Sequence, residues 1–187
     1  MIPGIFVGSA YYDLKYTGER LKKLIESIGF EPILFENDNV THPHRKAVLQ
    51  SAYYETEPYH LMVLIIGGRY GLPATLTNIE DEWKKYDEAY ISIIRKEWET
   101  AVKKNIPILV FVDKNVYSDY HTYKENPVFF DILYSPASKE TKENKKFKFA
   151  HVDHITIFKF IDLTKTVAVK LFEKIEEIET YIKLQIS

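Results

Sequence analysis

Two uninterrupted apolar runs, Leu61–Ile66 (LMVLII) and Ile106–Val112 (IPILVFV), constrain this chain more than any other feature. Neither run alternates with polar residues, so both suit strands covered on both faces. Between them Ile91, Ile94, Trp98 and Val102 mark the buried stripe of a helix. Strand, helix and strand make a βαβ unit, and two strands joined that way lie parallel.

The rest of the chain fits around that unit. Ile5–Val7 reads as a short strand ending in small residues. Leu21, Leu24, Ile25 and Ile28 recur at helical spacing, and Gly29 stands where a helix ends. Phe30–Phe35 reads as a second strand. Thr41–Tyr54 reads as a helix with Pro43 in its first turn. Ile79–Tyr90, free of Gly and Pro, is expected to be partly helical. Beyond Asp113 the pattern weakens. Tyr134–Lys148 is rich in Lys and Glu and reads as a solvated insertion. Val152, Ile155, Phe158 and Ile161 recur every third residue and predict a helix. Val167–Phe172 alternates like an edge strand, and Ile175, Ile178, Tyr181 and Ile182 define a closing helix.

Strand and helix therefore repeat about five times. The expected fold is α/β, a three-layer, doubly wound, parallel five-stranded sheet of flavodoxin-like topology, strand order 2-1-3-4-5, in one domain spanning residues 1–187. In such a sheet ligands bind beyond the carboxyl ends of the strands, where the strand order reverses. That point falls between the first and third strands, at the loops Gly8–Tyr16 and Gly67–Pro73.

Composition narrows the partners. A net charge of −2 gives no global field toward nucleic acid or an anionic membrane, so neither is expected as a partner. The Lys139–Lys148 run is interleaved with Glu140 and Glu143, which suits a solvated loop. The chain has no cysteine, which removes disulfides, thiolate catalysis and cysteine-based zinc sites. The start, MIPGIFVGSA, lacks the basic region and apolar core of a signal peptide, and no apolar run approaches membrane-spanning length. A cytoplasmic location is the expectation. The 14 Tyr and 11 Phe serve a core first, with some able to stack on a ligand.

Several residues at the expected crevice can carry chemistry. In Gly67-Gly68-Arg69-Tyr70-Gly71 the glycines permit close backbone approach and positive φ, Arg69 can fork onto a phosphate or carboxylate, and Tyr70 can stack on a ring. The same five residues can equally be a tight turn with a surface ion pair. They form neither a dinucleotide fingerprint nor a phosphate-binding P-loop. Ser9, Tyr11 and Asp13 belong to the opposite loop, where a hydroxyl and a carboxylate can hold ribose hydroxyls; Asp13 can instead tie down its own loop or face a helix N-terminus. Glu97 continues the row Ile93–Glu97–Ala101 beside Trp98. A carboxylate at the edge of an apolar face is partly desolvated, which suits acid/base work or stabilisation of a developing cation. A boundary glutamate paired with a surface cation is the alternative. Ser92 can cap this helix or face the crevice. His42/His44 and His151/His154 are close pairs, but no clustered acids complete a metal site, so no metal is expected.

Taken together, IFVGSAYYDL, the ER-x-x-L-x-x-x-I-x-x-x-G-F-E-P helix, LIIGGRYG and the span from Ser92 through Glu97-Trp98 to Ile106–Val112 resemble domain-of-unknown-function family 4062, a TIR-like module. The resemblance continues through Asp113–Tyr117 and Lys148–Asp162, a pattern of stand-alone bacterial members. It implies a flavodoxin-like TIR relative. In catalytic TIR domains a glutamate on the helix after the third strand is required for NAD cleavage, and Glu97 matches it by order and by its spacing from Ser92. Arg95 stands where the family usually carries a further acid. The resemblance implies cleavage of the N-glycosidic bond of NAD or a related nucleotide in bacterial antiphage signalling, with NAD as substrate and no resident cofactor. It also implies a homo-oligomer or a partner effector or sensor protein. Two alternatives stay open: a non-catalytic interaction or ligand-sensing module, and a nucleoside deoxyribosyltransferase-like enzyme.

Overall fold

The computed structural model describes residues 2–9, 14–34, 59–68, 98–134, 148–152 and 155–186. The first strand, β1 (Gly4–Ser9), leads to helix α1 (Leu14–Ser27) and strand β2 (Glu31–Leu34). Strand β3 (Tyr59–Ile66) follows, then helical residues 98–103, labelled α2, and strand β4 (Ile108–Asp113). Helices α3 (Lys114–Glu125), α4 (Pro127–Leu133) and α5 (Thr156–Thr164) precede strand β5 (Val169–Phe172), and helix α6 (Ile175–Ile186) closes the order. The expected helices over Thr41–Tyr54 and Ile79–Tyr90, and the insertion after Tyr134, lie outside the described residues.

All five strands join one parallel sheet of order β2-β1-β3-β4-β5, the flavodoxin-like order read from the sequence. The apolar run of β3 is buried on both faces, as its lack of alternation requires. Met62, Leu64 and Ile66 point into one core with Phe6, Val110 and Val112. Val63 and Ile65 point into the other with Ile5, Val7 and Phe111. The first core is covered by Trp98 and Ala101 of α2, Val116, Tyr120 and Tyr123 of α3, Phe130 of α4, and Phe158 and Ile161 of α5. The second is covered by Leu21, Leu24 and Ile25 of α1 and by Ile178 and Ile182 of α6. Full burial of each large aliphatic or phenyl side chain contributes about 1.5–3 kcal/mol relative to exposure.

The helix ends follow from local chemistry. At the end of α1, Gly29 takes φ +85°, its N–H donates to the Glu26 carbonyl and the Phe30 N–H donates to the Ile25 carbonyl. This paired closure satisfies carbonyls that the helix leaves open, and it needs a left-handed residue. Asn105 does the same for α2 at φ 54°, with Asn105 N–H to Val102 and Ile106 N–H to Ala101.

Two helices were not legible in the sequence. α3 begins where Asp113 leaves β4: its Oδ1 accepts from the N–H groups of Asn115 at 2.8 Å and Val116 at 3.3 Å. α4 begins at Asn126, whose side-chain oxygen accepts from Phe129 N–H at 3.1 Å, with Pro127 in the first turn. The expected helix around Val152–Ile161 starts later, at Thr156, so Val152 is buried from a non-helical segment. The expected strand Val167–Phe172 is confined to Val169–Phe172 and, as expected, lies at the sheet edge.

Candidate functional site

β1 and β3 are direct neighbours, with Gly8 opposite Leu64 and Ser9 opposite Ile65. The helix following β1 covers one face of the sheet, and the helix preceding β4 covers the other. Connections that leave adjacent strand ends toward opposite faces open a crevice between them. Ser9 and the Gly67-Gly68 turn are therefore brought to the same carboxyl edge, as the sequence predicts. Tyr11, Asp13, Arg69, Tyr70, Ser92 and Glu97 lie outside the described residues.

Gly67 and Gly68 are both buried. The space that glycine leaves at Gly68 is occupied by the chain itself. A Cβ there would overlap the carbonyl oxygen of His151 and lie 2.8 Å from its carbonyl carbon and 2.9 Å from Val116 Cγ2. Gly68 does not adopt a positive φ, so space alone makes glycine necessary. The β4 side of the turn is thus closed by protein. His151 is exposed, and its backbone N–H donates to Asp119 Oδ2 at 2.7 Å. His151 and Asp119 lie far from this turn along the chain, and no local sequence pattern joins the three.

On the same face of the sheet as Val116, Trp98 is 6% exposed and Ala101 is fully buried, whereas Val102, expected in the buried stripe, is 43% exposed. Trp98 and Ala101 are the residues next to and four after Glu97 in the sequence. The indole N–H of Trp98 is buried and finds no acceptor among the described residues.

A separate polar network joins α3 to α5. The Tyr120 hydroxyl donates to Asp162 Oδ1 at 2.5 Å and accepts from Lys165 Nζ at 2.7 Å. Lys124 Nζ adds contacts to both Asp162 oxygens at 3.3 Å. Burial, then the bond to Asp162, pushes the Tyr120 hydroxyl above the ordinary tyrosine range. Tyr123 is pushed up to about 12, by burial first and by its bond to Asp131 second. Both phenols stay protonated at neutral pH and serve as donors that join helices. Of the described residues, no group of three or more His, Asp and Glu side chains is arranged to hold a metal ion, and no helix is long and apolar enough to cross a membrane.

No curated protein and no solved structure matches the chain. The family model described as a domain of unknown function, DUF4062, matches residues 4–187. With nearly its whole length matched and the flavodoxin-like sheet in place, the chain belongs to the DUF4062 family.

Proposed function

We propose that the chain is a TIR-like signalling enzyme that cleaves the N-glycosidic bond of NAD or a related nucleotide. The observation that carries this reading is the switch point between β1 and β3, where Ser9 and the Gly67-Gly68 turn meet at the carboxyl edge of the sheet. The buried Trp98 and Ala101 add support, because they are the residues next to and four after Glu97 in the sequence. In the proposed reaction nicotinamide leaves C1′ of the ribose with the bonding electron pair, which neutralises its ring. The oxocarbenium-like sugar that remains is stabilised by the Glu97 carboxylate. Water then adds to C1′ and loses a proton. Arg69 contacts phosphate, Tyr70 or Tyr11 stacks on a ring, and Ser9, Asp13, Gly67, Gly68 and Ser92 line the pocket. A cytoplasmic place and a role in antiphage defence accompany this reading, with assembly into a homo-oligomer or onto a partner protein.

The test compares wild type with Glu97→Gln at high protein concentration, following nicotinamide release from NAD. Release that disappears in a folded variant supports the enzyme and the role of Glu97. Release that persists in the variant removes Glu97 from the chemistry. Release from neither protein, including under conditions that promote assembly, favours the non-catalytic interaction module. One observation already points that way: Val128, Phe129 and Ile132 of α4 are at least half exposed, an apolar row on a short helix.

A further inference from the structure

The segment 148–152 is held at both ends by apolar side chains. Phe149 is buried, with its ring centroid 4.9 Å from Phe130 and 4.8 Å from Phe158, and Val152 is buried in the same core. His151 lies between these anchors. Its side chain is exposed, its carbonyl abuts Gly68, and its N–H is taken by Asp119. Val116 and Asp119 are three residues apart on α3, so they share one helix face. That face meets the crevice turn through the Val116 methyl beside Gly68, and it meets the segment lying against the turn through the Asp119 carboxylate on the His151 N–H.

We propose that Asp119 is a positioning residue for the candidate crevice. By holding the His151 main chain against Gly68, it fixes the turn that leads into Arg69 and Tyr70. Phe149 and Val152 fix where the segment starts and ends, whereas the Asp119 bond fixes the residue that touches the turn. The relevance to ligand binding rests on the nucleotide reading above; the mechanical coupling of Asp119 to the turn does not.

The test uses the full chain as wild type, Asp119→Ala and Asp119→Asn. Hydrogen exchange followed by mass spectrometry reads the amides of residues 66–68 and 149–152 against those of α1 and α6. The alanine variant is expected to exchange about fivefold faster at the turn and at the segment, with α1 and α6 unchanged. The asparagine variant keeps an acceptor oxygen and is expected to stay near wild type. Affinity for ADP-ribose, measured by calorimetry, is expected to fall in the alanine variant and recover in the asparagine variant. Unchanged exchange at residues 66–68 in Asp119→Ala, or an equal rise across all helices, overturns the positioning role. Altered exchange with equal ADP-ribose affinity in all three proteins overturns its link to the ligand. If wild type binds no ADP-ribose, the nucleotide reading falls while exchange still decides the coupling.

Discussion

Gly68 and Gly18 are the same residue type under opposite constraints. Gly18 lies within α1, and a Cβ there would meet nothing within 4 Å. At Gly68 the same atom would strike the backbone of His151, which has no flexible end to move aside. Gly18→Ala is expected to stabilise the fold by about 0.5–1 kcal/mol, because alanine restores helix propensity. Gly68→Ala is expected to cost about 3 kcal/mol through overpacking. Urea denaturation of both variants checks the pair, and equal effects would refute the argument. The sequence makes a glycine at position 68 conspicuous and offers close approach or a positive φ as its reason; the structure shows close approach by the chain's own backbone and no positive φ. The sequence leaves open what approaches, because a partner so distant in the chain has no local signature.

Helix ends and helix faces explain which elements were legible. α1 was readable because Leu21, Leu24 and Ile25 are unambiguous and all buried, and because Gly29 marks the stop. α3 was not, since its buried stripe runs through Val116, Tyr120 and Tyr123, and tyrosine is as common at surfaces as in cores. Its cap, Asp113, reads equally well as the last residue of a strand. The candidate site was half legible: topology located its edge, while the wall supplied by residues 148–152 depends on packing between distant segments. The stop of α2 offers a test at this scale. Asn105 holds a left-handed conformation that asparagine tolerates and alanine resists. Asn105→Ala is expected to lose about 1 kcal/mol, and Asn105→Gly to be at least as stable as wild type, both read from thermal or urea midpoints. An alanine variant as stable as wild type would remove the conformational argument.

Across the molecule, the second core is sealed by α1 and α6 together, and one ion cluster spans them. Arg20 binds Glu179 through two nitrogens at 2.9 and 2.7 Å and Glu176 at 2.7 Å. The Arg20 bond holds the Glu176 carboxyl below its ordinary range, while the bonds to Glu179 and then Glu176 raise the Arg20 guanidinium further above neutrality. A carboxyl with a lowered folded-state pKa stabilises fully above its unfolded value, and that contribution is lost as pH falls through the lowered one. Arg20→Gln is therefore expected to lower the urea midpoint at neutral pH, and its deficit to shrink as pH drops below about 4.3, the unperturbed glutamate value. A deficit that stays constant into acid would show that the cluster contributes by packing alone. The sheet order has a consequence for synthesis as well. β1 is made first, and β2, β3, β4 and β5 each join an edge already made. A chain emerging from the ribosome can thus assemble its sheet outward in the order of translation. The face bearing Ile5, Val7, Val63 and Ile65 lacks part of its cover until Ile178 and Ile182 have emerged. During that interval the nascent chain presents a greasy surface, and it is there that a chaperone would be expected to hold it.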